Sequence, residues 1–129
     1  MKILLLDTQA FLWFVTDDSR LSPVARAAIE DSGNHRFLSI ASIWEMAIKH
    51  SIGKLHFTEP FDQFIRRQMA INSINPLSIA VEHAIVAALL PLHHRDPFDR
   101  MLIAQARHEK MNIVSSDVTL DRYEASRIW

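Results

Sequence analysis

Four carboxylates stand where apolar segments end or run through: Asp7 after Ile3-Leu4-Leu5-Leu6, Glu45 inside Ile43-Trp44-Glu45-Met46, Asp99 in Asp96-Pro97-Phe98-Asp99, and Asp117 after Ile113-Val114-Ser115-Ser116. An ionised carboxylate set against a core costs free energy unless something pairs with it. Carboxylate oxygens suit hard divalent cations such as magnesium, so a fold that gathers these acids is a fold that can hold one.

Each acid also has a plainer role open to it. Asp7 can cap a helix starting at Thr8, and Asp117 can cap the turn that follows it. Glu45 lies four residues before Lys49, a helical pair that contributes about 0.2 to 0.5 kcal/mol. Its neighbours Ile43, Trp44, Met46, Ala47 and Ile48 make the helix apolar nearly all round, which places Glu45 at least partly inside. Asp96 before Pro97 reads as an N-cap with proline at the first helical position. Asp99 then takes the third position, where the helix dipole also favours an acid. Asp96 and Asp99 share a face and repel, a cost that a bound cation offsets. Ser115 and Ser116 can hydrogen-bond Asp117 or position a water. No single acid identifies a site; four at strand ends and helix starts, with no compensating basic motif, argue for one together.

The elements that must position them are legible from periodicity. Lys2 to Leu6 reads as a short strand buried on both faces, as in a parallel sheet. Helices follow at Thr8 to Val15, Pro23 to Asp31 with Ser22 as N-cap, and Ala41 to Ser51 before Gly53, with a strand at Arg36 to Ser39 between the last two. A helix at Pro60 to Ile71, an extended piece at Ser73 to Pro76 and helices at Ile79 to Leu89 and Pro97 to Lys110 come next. A buried strand at Asn112 to Ser115, a turn or short helix at Val118 to Tyr123 and a last strand at Ser126 to Trp129 end the pattern. This alternation predicts one α/β domain over residues 1–129, with a mostly parallel sheet and helices on both faces. Such sheets bind ligands beyond the carboxyl ends of their strands, where the strand order reverses, and Asp7 and Asp117 both follow strands.

Composition narrows the function classes. Of 129 residues, 49% are hydrophobic and 22% charged, the balance of a folded globular chain. Fourteen basic against fifteen acidic residues give a net charge of -1, so any polyanion site must be local. The absence of cysteine excludes disulfides and thiolate metal sites. Together with the short apolar start before Asp7, it leads to the expectation of a cytoplasmic protein without a membrane span. The two glycines, Gly33 and Gly53, belong to no phosphate-cradling loop, which removes that route to nucleotide binding. Seven histidines show no paired-ligand spacing of the HExxH kind, which argues against a histidine-bound zinc. His94, Arg95 and Arg100 are candidates to line a pocket mouth and touch phosphate. Phe11-Leu12-Trp13-Phe14 is either a helix packed between layers or a docking surface.

Leu6-Asp7-Thr8, Ser42-Ile43-Trp44-Glu45, the run His94 to Ala106 and Ser115-Ser116-Asp117, in this order, resemble the PIN-domain ribonucleases, and among them the VapC-type toxins of bacterial type II toxin-antitoxin systems. The stretch Asp96 to Ala106 is the most specific part. The resemblance implies a PIN-like α/β/α sandwich and an endoribonuclease that uses Mg2+, or Mn2+, to hydrolyse RNA. It also implies a cognate antitoxin as partner and a homodimer. On it, Asp7, Glu45, Asp99 and Asp117 match the metal-binding acidic quartet and Ser115 a serine or threonine position before the last acid. Asp96 matches an additional acid; Arg100 is a supporting candidate from the basic residues above, not from the resemblance. Two other classes compete: a phosphoryl-transfer domain built on Asp7, which lacks the second acid of a DxDxT signature, and a non-catalytic binding module using Phe11 to Phe14.

Overall fold

The computed structural model describes all 129 residues. Its elements are β1 (Ile3–Leu6), α1 (Thr8–Val15), α2 (Pro23–Glu30), β2 (His35–Ser39), α3 (Ile40–Ser51), α4 (Phe61–Ile71), β3 (Ile74–Leu77), α5 (Val81–Leu89), α6 (Pro97–His108), β4 (Asn112–Val114), a 3-10 turn (Val118–Tyr123) and β5 (Ser126–Ile128).

β1 is apolar at every position because both of its faces are covered. Leu4 and Leu6 join a core with Phe11, Leu38, Met46, Ile65 and Val114, built from α1 to α4 on one side of the sheet. Leu5 turns the other way and joins Leu102, Ile103, Ile113 and Tyr123, the side covered by α5 and α6. The two-residue side-chain period thus sorts one short strand into two cores, and the result is a three-layer α/β/α sandwich.

All four strand pairings are parallel, in the order β3-β2-β1-β4-β5. The chain steps outward from β1 to β2 to β3, then returns through α5 and α6 to lay β4 on the free side of β1. The strand order therefore reverses between β1 and β4, the position at which open α/β sheets bind ligands. The Asp7 N–H donates to the Val114 carbonyl at 3.1 Å, carrying the pairing one residue past β1. Asp7 and the segment Ser115 to Asp117 consequently emerge side by side.

Element ends differ from the sequence expectation by one or two residues, with local causes. β3 starts at Ile74 because Ser73 takes a left-handed φ of 51° that terminates the turn after α4. α6 stops at His108 because Lys110 does the same at φ 56°. α5 starts at Val81, two residues late, because the His83 Nδ1 accepts the Ala80 N–H and fixes the N-cap there.

Phe11-Leu12-Trp13-Phe14 is the packed helix of the two readings offered above. Phe11 is fully buried, contributing about 1.5 to 3 kcal/mol, and Leu12, Trp13 and Phe14 pack against the same core. Trp129 lies against Trp13 at 5.9 Å, and the guanidinium groups of Arg20 and Arg26 cover Trp13 and Phe14 at 5.0 and 6.0 Å. Packing into the core accounts for Phe11, while Leu12, Trp13 and Phe14 stay half-buried beneath Arg20, Arg26 and Trp129. No helix is long and apolar enough to cross a membrane.

Candidate metal centre

Asp7 leaves the end of β1 and caps α1, its Oδ1 accepting the Ala10 N–H at 2.7 Å. Burial pushes its carboxyl above the usual range. Hydrogen bonds from Ser115 and Ala10 oppose that push, the charges of Glu45 and Asp117 add to it, and the net direction is upward. Thr8, the next residue, turns its hydroxyl to Glu45 Oε1 at 2.6 Å and so ties α1 to α3.

The other Glu45 oxygen accepts from Lys49 Nζ at 2.8 Å, so the helical ion pair exists. It does not take Glu45 to the surface: the Glu45 side chain is 12% exposed and that of Lys49 46%. Lysine reaches in from the rim with its stem along the helix.

Asp99 sits in the first turn of α6, half-buried. Its carboxyl is pushed up to about 6, first by burial and then by the charge of Asp96, with Glu45 and Asp7 adding and His94 opposing. No hydrogen bond from a protein group stabilises its ionised form. A desolvated carboxylate without a donor is costly, and a cation relieves that cost directly.

Asp117 follows β4 and caps the 3-10 turn, its Oδ1 accepting the Thr119 N–H at 2.9 Å. Its own N–H donates to the hydroxyl of buried Ser115 at 3.1 Å. Its Oδ2 lies 2.6 Å from His94 Nε2. Partial burial raises its carboxyl, but the hydrogen bonds from His94 and Thr119 outweigh it and hold Asp117 below the usual range.

Asp7 feels the charges of Glu45 and Asp117, and Asp99 those of Glu45 and Asp7, so the four acids share one electrostatic neighbourhood, although Asp7 and Glu45 do not join the tighter set of His94, Asp99 and Asp117. Ligand atoms of His94, Asp99 and Asp117 lie within 4.8 Å of one another. For Asp7 and Asp117, capping and a place at the site are the same fact, because a parallel strand ends where the next helix or turn begins. An all-carboxylate set, mutually repelling and partly desolvated, fits a hard divalent cation.

The remaining candidates fall elsewhere. Asp96 is exposed and caps α6 through the Phe98 N–H at 2.8 Å, reaching the site only through its charge on Asp99. The Arg100 guanidinium donates to the carbonyls of Ala87 at 2.7 Å, Leu90 at 3.1 Å, Pro91 at 3.0 Å and His94 at 3.4 Å. It staples the end of α5 and the following loop to α6, and its fork is spent on backbone instead of facing a phosphate. His94 lies inside the site rather than at a rim, with 11% of its side chain exposed. Tyr123, which holds His94, and Thr8 were not singled out from the sequence. Thr8 could have been, as a hydroxyl beside Asp7.

A second cluster, His83, His108 and Glu109, lies at the far end of α6. His83 Nδ1 accepts the Ala80 N–H, so Nε2 carries the proton, which it donates to Glu109 at 2.9 Å. That nitrogen has no lone pair for a metal. The largest concavity, lined by Ile40, Ile43, Phe61, Ile65, Met69 and Ile74, contains none of the four acids.

Residues 4–125 match the PIN domain family. Ribonuclease VapC16 of Mycobacterium tuberculosis is 40% identical over 62 residues, which are 48% of this chain and 43% of that protein, less than half its length. Among solved structures, the fold is similar to VapBC2 from Rickettsia felis bound to a DNA fragment from its promoter. That match has a TM-score of 0.71 and 10% identity, covering 98% of this chain and 99% of that one. It is also similar to VapBC-1 from nontypeable Haemophilus influenzae, with TM-score 0.65, 13% identity and coverage of 97% and 96%. A third, VapBC-5 of Mycobacterium tuberculosis, a toxin-antitoxin system, has TM-score 0.61, 14% identity and coverage of 98% and 96%. At such identities the likeness is one of fold, and the fold is PIN-like.

Proposed function

This chain belongs to the PIN-domain family, and on that footing we propose that it is a metal-dependent endoribonuclease, the toxin of a toxin-antitoxin pair. The observation that carries the reading is Asp99, a half-buried carboxylate without a hydrogen-bond donor, pushed up to about 6 inside a group of four acids at the strand-order reversal. Strongly perturbed carboxylates cluster at functional sites. The partial match to a ribonuclease and the toxin-antitoxin structures among the fold relatives support the same reading.

Asp7, Glu45, Asp99 and Asp117 would hold Mg2+, or Mn2+ in its place. A divalent ion held there supplies activation of a water and neutralisation of charge on the attacked phosphate. The chain's own residues supply position. Asp7 is held by Ala10, Glu45 by Thr8 and Lys49, and Asp117 by Thr119 and His94, so three of the four acids are oriented before any ligand arrives. Asp99 alone is free to adjust. Unloaded, the pocket repels a phosphate backbone; a bound divalent ion would offset part of that negative charge and offer a phosphate oxygen a positive centre, which makes RNA binding depend on the cation.

The partners of this reading are an RNA substrate, a cognate antitoxin and a second copy of the chain, in the cytoplasm. Incubation of purified protein with end-labelled RNA tests it. Cleavage in Mg2+ or Mn2+ that stops with EDTA and in Asp7→Asn is the expected result, with growth arrest on expression that Asp7→Ala relieves. Cleavage that persists unchanged in Asp7→Asn overturns the assigned site.

A further inference from the structure

Asp117 is held by an arm that reaches in from two distant parts of the chain. The His93 N–H donates to the Tyr123 phenol oxygen at 3.0 Å, and the same phenol is hydrogen-bonded to His94 Nδ1 at 3.1 Å. Facing an acceptor-only carboxylate, the imidazole Nε2–H donates to Asp117 Oδ2 at 2.6 Å. The series ends on a carboxylate of the site.

We propose that His94 and Tyr123 are positioning residues for Asp117, fixing the plane of its carboxylate for the cation; the proposal rests on the metal-site reading above. Thr119 holds one Asp117 oxygen and His94 the other. Two donors on two oxygens stop the carboxylate from rotating, yet each oxygen keeps a further lone pair for an ion. The tyrosine ring is anchored in the core with Leu5 and Ile113, so the arm refers the orientation of a half-exposed acid to the rigid interior. Arg100 secures the same loop from behind through the carbonyls of Pro91 and His94. Donors of this kind around ligating side chains orient them, and their removal costs about 10- to 100-fold in metal affinity.

Mn2+ titration of the full chain without RNA, read by electron spin resonance, tests the arm separately from catalysis. His94→Ala is expected to bind Mn2+ at least tenfold more weakly than the wild type. Tyr123→Phe, which keeps the ring and loses the hydroxyl, should bind about two- to tenfold more weakly. His94→Gln, whose amide nitrogen can donate to the same Asp117 oxygen, should recover most of the loss. Equal binding by these variants, or tighter binding by His94→Ala, overturns the proposal, the latter meaning that the imidazole occupies the oxygen the ion needs. A nitrogen coupling on bound Mn2+ that disappears in His94→Gln also overturns it, because His94 would then be a ligand itself. A wild type that binds no Mn2+ overturns the metal-site reading, whereas wild-type binding matched by His94→Ala overturns the arm alone. Should His94→Ala fail to fold, Tyr123→Phe and His94→Gln carry the same comparison.

Discussion

Neutralising Asp99 should stabilise the metal-free protein while disabling its site. Asp99 is moved from an ordinary value of 3.8 to about 6 in the folded chain. Taken in full, that shift corresponds to about 3 kcal/mol. Because the carboxylate is partly exposed, solvent screening reduces this to about 1 to 2 kcal/mol. The penalty falls on the ionised form, so the stability linked to Asp99 is complete below pH 3.8 and is lost as pH rises through about 6. Asp99→Asn in EDTA at pH 7.5 should therefore melt about 3 to 6 °C higher than the wild type, and the gain should fade toward pH 3.8. Saturating Mg2+ should cancel that gain, since a tenfold difference in affinity returns about 1.4 kcal/mol to the wild type. Thermal melts of both proteins at several pH values, with EDTA and with Mg2+, make the comparison. An acid that merely suits the dipole at the third position of a helix contributes about 0.3 to 1 kcal/mol of stability, so its loss would lower the melting temperature. The two accounts differ in sign, and a lower melting temperature in EDTA at pH 7.5 refutes the reasoning.

Asp7→Asn and Asp7→Ala should both abolish RNA cleavage, but calorimetry should separate them: asparagine still caps α1, whereas alanine loses about 1 kcal/mol of cap. Asp96→Ala should cost about 1 kcal/mol for the same reason. It should also lower the Asp99 pKa below about 6, since Asp96 supplies part of the upward push, visible in carboxyl NMR titration. Arg100→Ala strands several carbonyls around the end of α5 and should destabilise by about 2 to 4 kcal/mol in urea melts. The slope of RNA affinity against salt should not change, because the guanidinium contacts backbone instead of phosphate.

Much of the architecture is legible in the sequence because its signals are local. The apolar run before Asp7, proline after Ser22 and after Asp96, and the alternation of strand and helix are all short-range patterns. The order β3-β2-β1-β4-β5 is not local: it depends on α5 and α6 carrying the chain back across the sheet, which no window of residues encodes. Element ends slipped where serine or lysine, rather than glycine, takes a left-handed backbone at Ser73 and Lys110. The four acids were visible by type and place, but the approach of Asp7 and Asp117 follows from β4 lying beside β1. Arg100 looked available for phosphate because a sequence does not show which carbonyls surround a guanidinium. The arm from Tyr123 through His94 joins residues 29 positions apart in two loops, so nothing in either segment announces it. Phe11 to Phe14 looked too apolar for one core because the sequence hides Arg20, Arg26 and Trp129 folding over them.

The claim that four carboxylates share one cation is tested most directly by calorimetric titration of Mn2+ into the wild type and Asp99→Asn at pH 6 and pH 7.5. The wild type should bind at both values and release more protons at pH 6, where Asp99 is about half protonated, while Asp99→Asn binds at least tenfold more weakly. Equal affinity in the two proteins, or no heat of binding in the wild type, would contradict the shared site.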